Sequence, residues 1–89
     1  KKGTAGRHGI ILVPAVLRGT PSYIDEIEED SPAKTAGLKP DDLILFIERE
    51  FIGSCKNFRE VISHHQPGDK INILVKRKQE ILSIEMELD

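Results

Sequence analysis

Four consecutive β-favouring apolar residues, Ile10, Ile11, Leu12 and Val13, stop at Pro14. A proline beside a strand confines that strand to an edge, because it has no N–H to give a ladder. Residues 23–27 (YIDEI) alternate apolar with acidic positions, the period-two mark of a half-exposed strand. Asp30 or Ser31 as N-cap, Pro32 at the first helical position and Gly37 as a stop predict a short helix of about a turn and a half. Lys39, Pro40, Asp41 and Asp42 form a turn leading into residues 43–47 (LILFI), apolar on both faces and so a central strand. A turn at 48–50 and a short return at 51–52 follow, and Ser54 caps a second helix over residues 55–65. Breakers at 66–69 end it. Ile71, Ile73 and Val75 then alternate with Asn72, Leu74 and Lys76, and Leu82, Ile84, Met86 and Leu88 with Ser83, Glu85 and Glu87, giving two strands joined by a charged hairpin at 76–80.

This inventory, five or six short strands and two helices without a repeated β-α-β unit, predicts an α+β fold: a small half-open β-barrel or sandwich. Length and composition agree with one such domain. The 89 residues are 38% apolar, and Ile, Val, Leu and Phe number 27, enough to bury a core and to exclude global disorder. No apolar run is long enough to span a bilayer. Residues 1–6 (KKGTAG) offer nothing to bury and are expected to be a disordered lead-in, with the folded domain over 7–89.

Charge changes the picture little. Net charge is −2, but residues 1–20 hold Lys1, Lys2, Arg7 and Arg18 without an acid. With no Trp, one Tyr and three Phe, the chain lacks the basic, aromatic-studded face that nucleic acid requires. The run Glu26, Glu28, Glu29 and Asp30 reads as a solvated face. One cysteine, Cys55, closes no internal disulfide and meets no zinc-ligand spacing, and the three histidines add none. Ser63 and His64 are adjacent on a helix and point about 100° apart, so they form no nucleophile–base pair. The expectation is a non-catalytic chain with no metal and no cofactor.

Two features point instead to peptide capture. Gly9 before an edge strand suits a loop whose N–H groups cradle a carboxylate, and such an edge accepts an extended peptide as an extra strand. Taken alone, Gly9 reads more readily as an ordinary turn glycine. Positions 10, 12 and 14 share one edge, and Pro14 ends the rungs early. On the second helix Asn57, Val61 and His64 share one stripe, and Phe58, Ile62 and His65 the neighbouring one. Only one stripe is expected to be core. Phe58 and Ile62 are the better pair, which leaves Val61, Asn57 and His64 facing Ile10 and Leu12. The plainer alternative is that Val61 packs the rim and both histidines are solvated.

Residues 9–12 (GIIL), 31–38 (SPAKTAGL), 40–44 (PDDLI) and 67–71 (PGDKI), with the helix before the last, together resemble a PDZ domain over residues 7–89. Their order, with the glycine-bearing strand first and the paired strands last, is similar to that of bacterial HtrA/Deg-type serine proteases. The resemblance implies a module that binds C-terminal or extended peptides of unfolded proteins. It implies as well a parent trypsin-like endopeptidase in the periplasm or cell envelope, whose protease domain the module regulates or feeds. On this basis His8, Gly9 and Ile10 would hold the peptide carboxylate, and Ile11, Leu12, Val13, Asn57, Phe58, Val61 and His64 would form the groove. Protonation of His8 or His64 would then strengthen binding as pH falls. The chain itself is expected to be monomeric, without nucleic acid or membrane insertion. The alternatives are a PDZ module of another envelope protease or of a secretion or scaffold protein, or a structural domain whose groove a neighbour fills. Two positions depart from the family pattern. Asp41 stands where a glycine is usual, which demands a left-handed aspartate, and His8 precedes Gly9 where a hydrophobic residue is favoured.

Overall fold

A computed structural model describes residues 8–17 and 19–89. The expected lead-in at 1–6 and the basic positions Lys1, Lys2, Arg7 and Arg18 lie outside the described residues. The elements are β1 (Ile10–Leu12), β2 (Ile24–Ile27), α1 (Pro32–Ala36), β3 (Leu43–Ile47), β4 (Glu50–Phe51), α2 (Cys55–Ile62), β5 (Lys70–Arg77) and β6 (Glu80–Glu87). Six strands and two helices match the α+β expectation, and the strands form two sheets rather than a closed barrel. One is the antiparallel pair β1–β2, the other the antiparallel order β4-β3-β5-β6.

The sheets are knitted where the chain passes from β2 to β3. Tyr23 bridges Leu43, the Ile24 N–H donates to the Asp42 carbonyl (2.8 Å), and the Ile44 N–H donates to the Ser22 carbonyl (3.1 Å). Pro40 occupies the second place of the intervening turn and Asp41 the third, at φ 76. The left-handed aspartate foreseen there is present. Asp42 then turns a carboxylate that is 1% exposed onto Arg77, accepting from Nε (2.8 Å) and Nη2 (2.7 Å), and onto the Lys39 N–H (3.0 Å). Arg77 Nη2 also donates to the Gly37 carbonyl (3.0 Å), so one guanidinium ties β5 to the end of α1. The bonds from Asp42 raise the Arg77 pKa above the ordinary arginine value.

The core lies between the sheets and under the helices. Ile24, Ile44, Ile47, Ile73 and Val75 are its fully enclosed centre, and Ile10, Phe58, Val61, Ile62, Met86 and Leu88 belong to the same cluster. Alternation in β5 sends Ile71, Ile73 and Val75 inward, as read from the sequence.

Several boundaries differ from expectation: β2 opens at Ile24 rather than Tyr23, and β5 and β6 extend to Arg77 and from Glu80 into the expected hairpin. β1 closes at Leu12, although the Val13 N–H still donates to the Tyr23 carbonyl (3.0 Å). The return strand is Glu50–Phe51, one residue early. Helix α2 ends at Ile62, not at 65, and a local competition explains it. Ser63 Oγ donates to the Glu60 carbonyl (2.7 Å), the acceptor that the His64 N–H would need for another α-turn. The His64 and His65 N–H groups fall back on Val61 and Ile62 carbonyls, three residues behind (3.1 Å each).

Candidate functional site

The cleft between β1 and α2 is built from the β1 backbone outward. Gly9 precedes β1 at φ 81, and a Cβ there would run into Cβ and Oγ of Ser31, so this position needs glycine for both conformation and space. Ser31 is the N-cap of α1: its Oγ accepts from the Lys34 N–H (3.2 Å) and donates to the Glu28 carbonyl (2.7 Å). The His8 carbonyl accepts from the Ala33 N–H (3.0 Å) in the first turn of the same helix. The loop 8–10 is therefore seated on the start of α1, not hung in solvent.

Pairing fixes which backbone groups of β1 remain available. The Gly9 carbonyl accepts from the Glu28 N–H (2.9 Å), Ile11 stands opposite Glu26, and Val13 bonds to Tyr23. Odd positions thus face β2, and by antiparallel alternation the N–H and C=O of Ile10 and Leu12 point the other way. Among the described residues no strand pairs with that second edge of β1. Pro14, next in the series, has no N–H to offer.

Side-chain alternation complements the edge. Ile10 is buried and Leu12 packs on the core, while Ile11 is 39% exposed on the outer face of the pair. Opposite, α2 contributes Phe58 and Val61 to the same cluster as Ile10, although the backbones of β1 and α2 do not pack closely. Four residues of α2 are buried: Cys55, Phe58, Val61 and Ile62. The expectation that only Phe58 and Ile62 face the core is corrected at one position: Val61 joins them in the core cluster, whereas Asn57 on its stripe is half-buried and His64 is exposed.

The remaining predicted residues divide. Asn57 is half-buried and its Oδ1 accepts from the Gly53 N–H (3.0 Å), which fixes the entry of α2. His64 lies beyond the last turn of α2, exposed, and so is off the helical stripe on which the sequence placed it. His8 is at the cleft. Its ring meets that of Phe58 edge-on (centroids 5.6 Å apart, 84° between planes), and its Nδ1 accepts from the Ile10 N–H (2.9 Å).

Sequence reasoning missed one residue that anchors α2. Cys55, fully buried at the first position of α2, donates its N–H to the Thr20 carbonyl (2.8 Å) and lies with Sγ 3.3 Å from the Pro21 carbonyl and 3.7 Å from that of Val13. It fastens the β1–β2 loop to the helix. Burial pushes its thiol pKa up, partly offset by the Arg59 charge. A single cysteine with no spaced partner carries no sequence signal for such a role.

Concavities are also found away from β1 and α2. One, of about 540 Å³ between α1 and β6, is lined by Ser31, Thr35, Lys70 and Met86. A cleft that takes an extended chain works through an unpaired edge and does not need enclosed volume.

The model of the PDZ domain family matches residues 9–88. Zinc metalloprotease RasP of Oceanobacillus iheyensis is 28% identical over 74 residues, covering 80% of this chain and 17% of that protein. The HtrA-type protease AlgW, solved with a decapeptide, superposes with a TM-score of 0.80 at 23% identity, covering 96% of this chain and 29% of that one. A serine endoprotease from Yersinia pestis gives a TM-score of 0.78 at 23% identity, covering 99% of this chain and 31% of that one. The chain thus spans less than a third of each of these proteins, and the structural likeness is one of fold. With the family match running from the loop glycine through β6 and the next residue, this chain belongs to the PDZ domain family.

Proposed function

We propose that the chain binds the C-terminal segment of a peptide or unfolded protein by adding it, antiparallel, to the free edge of β1. The observation that carries this reading is the outward turn of the Ile10 and Leu12 backbone groups beside α2. The terminal carboxylate would sit on the N–H groups of the loop His8, Gly9 and Ile10. Its side chain would rest on the apolar floor of Ile10, Leu12, Phe58 and Val61, gaining about 25 cal/mol per Å² of apolar area buried. Asn57 and His64 would flank that floor, whereas Ile11 and Val13, whose backbone groups face β2, would stand outside it. A few rungs bury well below a standard interface, so affinity is on the order of micromolar.

The module would serve a larger protease by supplying or regulating its substrates, from the periplasm or cell envelope. Fold neighbours solved with a decapeptide and with a tripeptide support an HtrA-type serine protease as the parent. A specific observation favours a second parent class: the relative RasP is a zinc metalloprotease. The chain adjoining this domain in its gene separates the two, by a chymotrypsin-like domain or by a zinc-ligand motif.

The test is an amide-shift titration with the best hit of a C-terminal peptide library and with its amidated form. Shifts should concentrate on residues 8–13 and 57–65, and amidation should weaken binding. Shifts confined to the acidic face at 26–30 refute the groove.

A further inference from the structure

We infer that the His8 imidazole is the groove's own resident ligand: with no peptide bound it holds the Ile10 N–H that a carboxylate would take, and so sets the groove's affinity. The inference rests on the reading of the groove given above and adds a residue that controls it. The Ile10 N–H is directed away from β2 and into the cleft, yet it is engaged: it donates to Nδ1 of His8, two residues earlier, at 2.9 Å. One N–H carries one hydrogen. A carboxylate that accepts from Ile10 must displace the ring, and binding becomes an exchange of acceptors in place of the filling of an empty cradle.

The ring lies edge-on against Phe58 of α2, and its backbone is held by the Ala33 N–H on the His8 carbonyl and by the left-handed Gly9, where a Cβ would run into Ser31. Nδ1 accepts only when it carries no proton, so the engaged form is the neutral imidazole with its hydrogen on Nε2. Peptide binding must break a hydrogen bond of ordinary net strength, which amounts to a loss of about 2- to 12-fold in affinity. A side chain of similar shape without an acceptor would remove that loss.

Two measurements on the 89-residue chain decide it, with an N-acetylated pentapeptide ending in valine, free carboxylate, as the probe. The first uses the free protein: Ile10 amide exchange should be slow in the wild type and faster in His8→Ala, and the imidazole nitrogen-15 shift should report an unprotonated, hydrogen-bonded Nδ1. The second is calorimetry of His8→Ala, His8→Phe and His8→Asn. His8→Phe keeps the ring contact with Phe58 and removes the acceptor, whereas a short asparagine oxygen can take the N–H two residues on. His8→Ala and His8→Phe should bind about 2- to 12-fold tighter than wild type, and His8→Asn close to wild type. Equal or weaker binding by both acceptor-free variants overturns the inference, as does tightening by His8→Phe alone, which apolar contact would explain. Unchanged Ile10 exchange in His8→Ala overturns it too. Binding by no variant, with the free-protein signals as expected, is a failure of the groove reading, and the inference falls with it.

Discussion

Replacing Gly9 by alanine strikes the loop that seats β1 on α1, and its cost has two separable parts. The first is conformational: at φ 81 an L-residue is held in the left-handed region, at about 1–2 kcal/mol. The second is steric. The new methyl would meet Cβ and Oγ of Ser31, a buried N-cap that cannot swing away, and overpacking of this kind costs about 1–3 kcal/mol. Together they remove about 2–5 kcal/mol from a domain whose whole stability is on the order of 5–15 kcal/mol. For a chain of this size that lowers Tm by about 10 °C or more. Urea unfolding should show a lower midpoint at unchanged slope. Repeating the substitution in a Ser31→Gly background isolates the steric part: only the conformational cost should remain, leaving a coupling of about 1–3 kcal/mol between the two sites. A loss below about 0.5 kcal/mol for Gly9→Ala, or no coupling with Ser31, refutes the packing argument.

Arg77→Met strands the Asp42 carboxylate with the Lys39 N–H alone, and urea unfolding should register the lower part of the about 3–5 kcal/mol range, because Arg77 is partly exposed; a loss under about 1 kcal/mol contradicts it. Cys55 should resist iodoacetamide in the native protein at pH 8 and react once unfolded, whereas rapid native labelling would show that the loop–helix fastening is open. Because burial raises the thiol pKa above its unfolded value, the stability linked to it is intact below the ordinary 9.0 and lost as pH climbs past it. The urea midpoint should therefore fall more steeply above that pH in wild type than in Cys55→Ala, and parallel curves speak against the linkage. Since Pro14 offers no donor at the third rung, peptides longer than about four or five residues should gain little; a tenfold gain for ten residues over five overturns the early stop.

The fold was largely legible because each element carries its own local signal. Alternation in Ile71, Ile73 and Val75, the Ser31–Pro32 start and the Pro40–Asp41 turn all act over a few residues, and the structure keeps them. The length of α2 was not legible, because Ser63 taking the Glu60 carbonyl is a competition that helical periodicity does not register. His64 consequently left the stripe assigned to it. At the site, the loop glycine, the edge strand and the apolar positions of α2 could be read. The turn of the His8 ring onto Ile10 could not, since nothing in the residue order states where an imidazole rotates. The Arg77–Asp42 pair joins residues 35 apart, and Cys55 reaches Val13 over 42; neither separation leaves a pattern in the chain.

The brevity of β1 also governs how copies of this molecule meet one another. A bare sheet edge is a template for sheet growth, and proteins that carry one usually blunt it with charge, a bulge or a proline. Here the edge is three residues long, ends beside Pro14 and faces the wall of α2 across the cleft. One extended chain is about 4.8 Å across in the pairing direction. The edge of a second folded copy arrives with its own strands behind it and meets the helix first. On the proposed reading, an edge this short beside Pro14 would suit the capture of a lone strand better than the growth of a sheet.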